Sequence, residues 1–128
     1  MNVLDENIIA PEQERLRVWR IHFRSIGEEI GRPGMKDLNE IIPLLHTFRQ
    51  PTFFTRDHGF YRPTLLYAGY CLVYLEVGAD ETAEYIRRFL RHRAFRTRSQ
   101  RMGIVVRAHH DSVSYWQANP KRECTLSW

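Results

Sequence analysis

Lysine is nearly missing from this chain: of 19 basic residues, only Lys36 and Lys121 are not arginine. Acid is missing altogether from Arg87 to Arg107, a stretch that holds eight arginines. Since the whole chain has 15 acidic residues and a net charge of +4, the remainder carries 11 basic residues against those 15 acids, a net of −4. The chain is electrically divided. Cysteine occurs only at 71 and 124, without zinc spacing or a CxxC pair, so free thiols in a reducing compartment are expected. No apolar run approaches the roughly 18 to 20 residues that cross a bilayer, and no basic-then-apolar leader precedes Leu4. A cytoplasmic protein with no membrane partner is expected.

What is present is ordinary globular material, 128 residues with 43% hydrophobic and 12% aromatic content, enough for one core. "NVL" stops at acids and reads as a short strand. "APEQERLRVW" starts with a proline suited to a first helical turn, and "WRIHFRSIG" alternates Trp19, Ile21 and Phe23 with polar residues, the period of a strand. "KDLNEIIPLLHTF" puts Leu38, Ile41, Ile42, Leu45 and Phe48 on one helical stripe. "PTFFTRD" and "YCLVYLEV" read as strands, "DETAEYIRRFLRHRAF" as a helix, and "GIVVRAHHDSVSYW" as a last strand region. Residues 1–116 are expected to form the domain and 117–128 a C-terminal tail. Alternating strands and helices imply an α/β fold, a mainly parallel central sheet with helices on both sides in three α/β/α layers.

In such sheets ligands bind beyond the carboxyl ends of the strands, where Asp5 and Asp57 both fall. The helix opening at Asp37 is placed to bring a third acid. Carboxylates gathered without arginine partners point to a divalent cation, and Mg2+ fits because it takes oxygen ligands and completes its shell with water and substrate phosphate.

The order "VLDENI", "DLNEII", "PTFFTRDHGF" resembles the motifs of PIN-domain nucleases, above all the short PIN-like proteins with an LDEN-type first motif, over roughly residues 1–77. The resemblance implies a ribonuclease that cuts single-stranded RNA with Mg2+ or Mn2+, the toxin of a toxin–antitoxin pair. It makes Asp5 and Asp57 metal acids from the first and third strands. The helix acid is Glu40 if "II" is aligned with the family's apolar pair, and Asp37 if the residue opening the helix is the ligand. Thr55 and Asn7 would support the acids, Thr55 beside Asp57 and Asn7 orienting Asp5. The resemblance also admits an antitoxin protein and a second copy of the chain as partners. Gly59 departs from the pattern, standing where the family often has a further acid, and a degenerate module that binds RNA or a protein without cleaving is the alternative.

Each of these residues also has a plainer use. Asp5 would serve as a helix cap, Asp57 as a turn residue, and Asp37 as an N-cap with Glu40 three residues behind it. Arg87, Arg88 and Arg91 suit the solvated face of a helix. With Arg96, Arg98 and Arg101, however, they make an acid-free basic stripe that matches a phosphate chain. His109 and His110 are adjacent, so on a strand they point apart and do not pair as ligands. Phe60, Tyr61 and Tyr67 would serve as core or as stacking platforms. A receiver-like phosphoacceptor domain also places acids after its first and third strands, but needs a lysine at the end of its fifth, which neither Lys36 nor Lys121 supplies.

Overall fold

The computed structural model describes residues 1–128. Its strands are β1 (Asn2–Leu4), β2 (Arg24–Ser25), β3 (Thr52–Thr55), β4 (Cys71–Leu75), β5 (Val105–Ala108), β6 (Ser112–Ala118) and β7 (Lys121–Ser127). The helices are α1 (Ala10–Val18), α2 (Leu38–His46), α3 (Thr82–Arg91) and the single turn α4 (Arg98–Arg101). One seven-stranded sheet runs in the order β2-β1-β3-β4-β5-β6-β7. The first five strands in this order are mutually parallel, β6 pairs antiparallel with β5, and β7 pairs antiparallel with β6. The expected α/β class with a mainly parallel central sheet is what the chain forms.

Both faces of the sheet are apolar, as consecutive buried residues on a parallel strand require. Leu4, Phe54, Val73 and Val106 join a cluster with Leu16 of α1 and Ile86 and Phe89 of α3. Their neighbours Val3, Phe53, Leu72 and Val105 join Ile41 and Leu45 of α2. The carboxyl ends of β1 and β3 come side by side because Leu4 pairs with Phe54 and the Asp5 amide donates to the Phe54 carbonyl at 3.0 Å.

Three expectations fail, each for a physical reason. The Trp19–Phe23 alternation is not a long strand, and β2 is only Arg24–Ser25. The Ile21 amide donates to Leu16 O and the Arg20 amide to Arg17 O, with Arg20 at φ 61°, so the chain leaves α1 through a Schellman C-cap. Its period of two comes from a helix end. The last strand region is two strands, β5 and β6, joined by a turn at His109–Asp111, so the histidines are not on a strand. Residues 117–128 are no tail: Lys121–Ser127 pairs with β6 along its whole length, from Ser112↔Ser127 to Ala118↔Lys121, and the division at residue 116 falls inside β6. Leu126 and Trp128 pack against the first core, the inward half of an alternation legible in "CTLSW".

Candidate functional site at the carboxyl edge of the sheet

Asp5 follows β1 and is 4% exposed. Its Oδ1 accepts from the Glu6 amide at 2.8 Å and its Oδ2 from the Thr55 hydroxyl at 2.7 Å, with the Asn7 amide group at 3.4 Å from the same oxygen. Thr55, wholly buried at the end of β3, accepts in turn from the Asp57 amide at 3.0 Å and from Asn7 Nδ2 at 3.2 Å. Asn7 Oδ1 accepts from the Arg56 amide at 3.1 Å, which ties the segment after β1 to the segment after β3. Thr55 and Asn7 therefore support both acids. Asp57 accepts from the Gly59 amide at 2.8 Å through Oδ1 and caps the 3-10 turn His58–Phe60, so it has the turn role and the edge position together.

Burial pushes the Asp5 carboxyl above its ordinary value, and the negative charges of Asp57 and Glu6 push the same way. The Thr55 hydroxyl and the Glu6 amide pull against them by stabilising the carboxylate. Asp5 and Asp57 open onto a cleft of about 390 Å³ lined by Asp5, Glu6, Asn7, Lys36 and Asp57, without one apolar residue. Glu6 is held over Gly27, where a Cβ would come within 2.8 Å of Glu6 Oε2.

Neither helix acid reaches this cleft. Asp37 caps α2 by accepting from the Asn39 amide at 2.9 Å, and Glu40 is paired with Arg32. No group of three or more His, Cys, Asp or Glu side chains is placed to hold a metal ion. The α2 terminus nevertheless contributes, because Lys36, one residue ahead of the cap, lines the cleft. Lys36 is not among the site residues expected from sequence, where it bears only on the fifth-strand lysine that a receiver-like domain needs. The signal for it was its position beside the very residue expected at the edge.

The arginine run does not converge on the acids either. Because α3 leaves the carboxyl end of β4 and returns the chain to the start of β5, its last turn and the residues after it belong to the opposite edge. Arg98 and Arg101 act there on the Met1 amine at the start of β1, lowering its pKa behind the larger effect of burial. Arg87 lies 3.7 Å from the Trp19 ring centre and pairs with Glu84, which also pairs with Arg88. Arg91 lines a surface cleft with His92 and Trp128. Arg101 is buried and donates to Thr52 Oγ1 at 3.1 Å, Phe95 O at 2.9 Å and Arg96 O at 3.2 Å. It holds a loop and is closed to nucleic acid. Arg96 stays exposed on that side. His109 bonds Ser112 and His110 bonds Glu81, so the two are not ligand partners.

Phe60 is core and Tyr67 is 47% exposed, packed against His46 and Tyr70. No helix is long and apolar enough to cross a membrane. Comparison with protein-family models, with curated proteins and with solved structures finds no match.

Proposed function

We propose that this chain is a PIN-like, three-layer α/β/α ribonuclease that cleaves single-stranded RNA with Mg2+ or Mn2+ held by Asp5 and Asp57. The carrying observation is the pair itself: two acids just beyond the ends of neighbouring parallel strands, the Asp5 carboxylate and the Asp57 backbone amide both bonded to one buried hydroxyl, at a wholly polar cleft that both residues line. The donor set fits a hard cation that needs one or two carboxylates and takes its remaining ligands from water and a substrate phosphate. Desolvation and mutual repulsion both raise the energy of an ionised Asp5 beside Asp57, and a divalent charge between them relieves both. Such an ion, once bound, lowers the pKa of a coordinated water and stabilises the leaving oxygen of a phosphodiester.

The chain's own residues do the rest. Thr55 and Asn7 fix Asp5, and the turn at Gly59 fixes Asp57. Lys36 on the cleft wall supplies a cation for the phosphate. In the toxin reading an antitoxin protein covers this carboxyl edge, in the cytoplasm, with a second copy of the chain as the other partner.

A second reading, a module that binds RNA or a protein without hydrolysis, is favoured by Gly59 and by the missing third carboxylate. One experiment separates the two: a labelled unstructured RNA is incubated with wild type and Asp5→Asn under Mg2+, Mn2+ or EDTA. Metal-dependent cleavage lost in the variant supports the nuclease. Binding without cleavage by either protein supports the module.

A further inference from the structure

The sheet face under α2 changes character along the strands. Val3, Phe53, Leu72 and Val105 are its apolar row, in register and buried. Two residues further on, the same face carries Asp5, Thr55, Tyr74 and Arg107. The register pairs Thr55 with Tyr74 and Tyr74 with Arg107. Neighbouring strands are about 4.8 Å apart, so this row carries Arg107 about 10 Å beyond Thr55. The polar row that begins with the acids reaches an arginine at β5.

That arginine is under-used. Its Nε is buried and has no hydrogen-bond partner, since the nearest carboxylate oxygen, on Glu76, lies 3.8 Å away. Its guanidinium carbon lies 5.3 Å from the Tyr61 ring centre, and the Tyr61 hydroxyl is itself committed to Glu123. Arg107 therefore rests on an aromatic ring, 36% exposed, with donors to spare. Beside it the Tyr74 ring is partly exposed and edge-on to His58 at 6.4 Å between centres, and His58 immediately follows Asp57. Tyr74 is close enough to sense Glu76, Arg107, Arg56 and Asp57 at once.

We propose that Tyr74, His58 and Arg107 form a second nucleotide subsite, which holds the part of a single-stranded RNA next to the one at Asp5 and Asp57. A base stacks on the Tyr74 and His58 rings, and its phosphate takes the terminal Nη donors of the part-exposed Arg107 guanidinium, while the buried Nε stays out of reach. Glu76, 3.8 Å from Nε, lowers the local positive field, so recognition depends on the donor fork. This inference rests on the nucleic-acid reading of the cleft and gives its substrate a direction along the sheet, from β1 towards β5.

The test is binding of a fluorescent single-stranded RNA several nucleotides long, by anisotropy in EDTA, to wild type, Arg107→Gln, Arg107→Lys and Tyr74→Leu. Arg107→Gln and Tyr74→Leu are expected to weaken binding about tenfold each, Arg107→Lys less, while the affinity for Mn2+ alone stays at the wild-type value. Where the RNA is cut, the loss falls on KM and not on kcat. Unchanged RNA affinity in folded Arg107→Gln, or equal losses of RNA and Mn2+ binding, overturns the subsite. If Arg107→Gln does not fold, Tyr74→Leu decides by the same criterion. Reduced binding by the variants with no cleavage by any protein keeps the subsite and removes the nuclease; cleavage with unchanged RNA affinity does the reverse.

Discussion

The Thr55 hydroxyl donates to Asp5 at 2.7 Å and accepts from the Asp57 amide at 3.0 Å, so one buried side chain fixes both acids. Thr55→Val keeps the shape and removes the donor and the acceptor. It is expected to cost about 1 to 3 kcal/mol by leaving buried polar groups unpaired, and to raise the Asp5 carboxyl further, because its hydroxyl lowers that pKa. Thr55→Ser retains most of both. Urea melts and a carboxyl-carbon NMR titration of Asp5 read the two effects.

The raised Asp5 pKa makes the site a stability cost at neutral pH. Folded Asp5 holds its proton above 3.8, where the unfolded chain has released it, so this group's contribution to stability is fully present at low pH and is lost as pH rises through the folded value. Asp5→Asn is expected to fold and to lose this part of the pH dependence, with the gain from removing a buried charge set against the loss of one acceptor to the Glu6 amide or the Thr55 hydroxyl. Mn2+ is expected to raise the melting temperature of wild type only. Thermal melts across the acid range, with and without metal, check all three.

Gly59 tests the missing acid directly. Its φ is not left-handed, and a Cβ there would meet Asp57 Oδ1 at 3.1 Å, a contact that a small shift of the carboxylate relieves. Gly59→Asp is expected to fold and to bind Mn2+ at least several-fold more tightly, because it adds a carboxylate to the cation's surroundings. Calorimetric titration gives the answer, and weaker binding would mean that the new acid points elsewhere.

Arg20 sits in the left-handed region at the end of α1, where glycine is the usual residue. Arg20→Gly is expected to stabilise the fold by up to about 1 kcal/mol, measured by urea melting, through relief of a conformation that disfavours a side chain.

Arg101 and the exposed arginines should behave oppositely. Arg101→Gln removes donors from Thr52, Phe95 and Arg96 and is expected to cost about 1 to 3 kcal/mol. Arg96→Ala is expected to change stability by no more than about 0.5 kcal/mol and to leave RNA binding at the acid cleft unchanged. Melts and anisotropy with single variants separate these roles.

The legible parts of the sequence were those where one local rule acts alone. The alternation of strands such as "YCLVYLEV" with helices such as "DETAEYIRRFLRHRAF" announced a mainly parallel sheet, and acids just after short strands announced the edge where Asp5 and Asp57 line one cleft. What was not legible depended on partners distant in the chain. Asp37 and Glu40 look like ligands until the Asn39 amide and Arg32 claim them. The arginine stretch reads as one basic surface until the direction of α3 carries its members up to Arg101 away from the acids and β5 returns the last of them, Arg107, while Lys36 arrives from a separate segment. The Trp19–Phe23 alternation misled because a helix cap and a strand can share a period of two.

The most direct test of the account is a Mn2+ titration followed by amide NMR on the wild-type chain and on Asp57→Asn. The account predicts that the ion broadens the amides of residues 5–7, 36 and 55–59 in wild type and loses this effect in the variant. Broadening centred elsewhere, or equal broadening of these amides in both proteins, would contradict a metal held by Asp5 and Asp57.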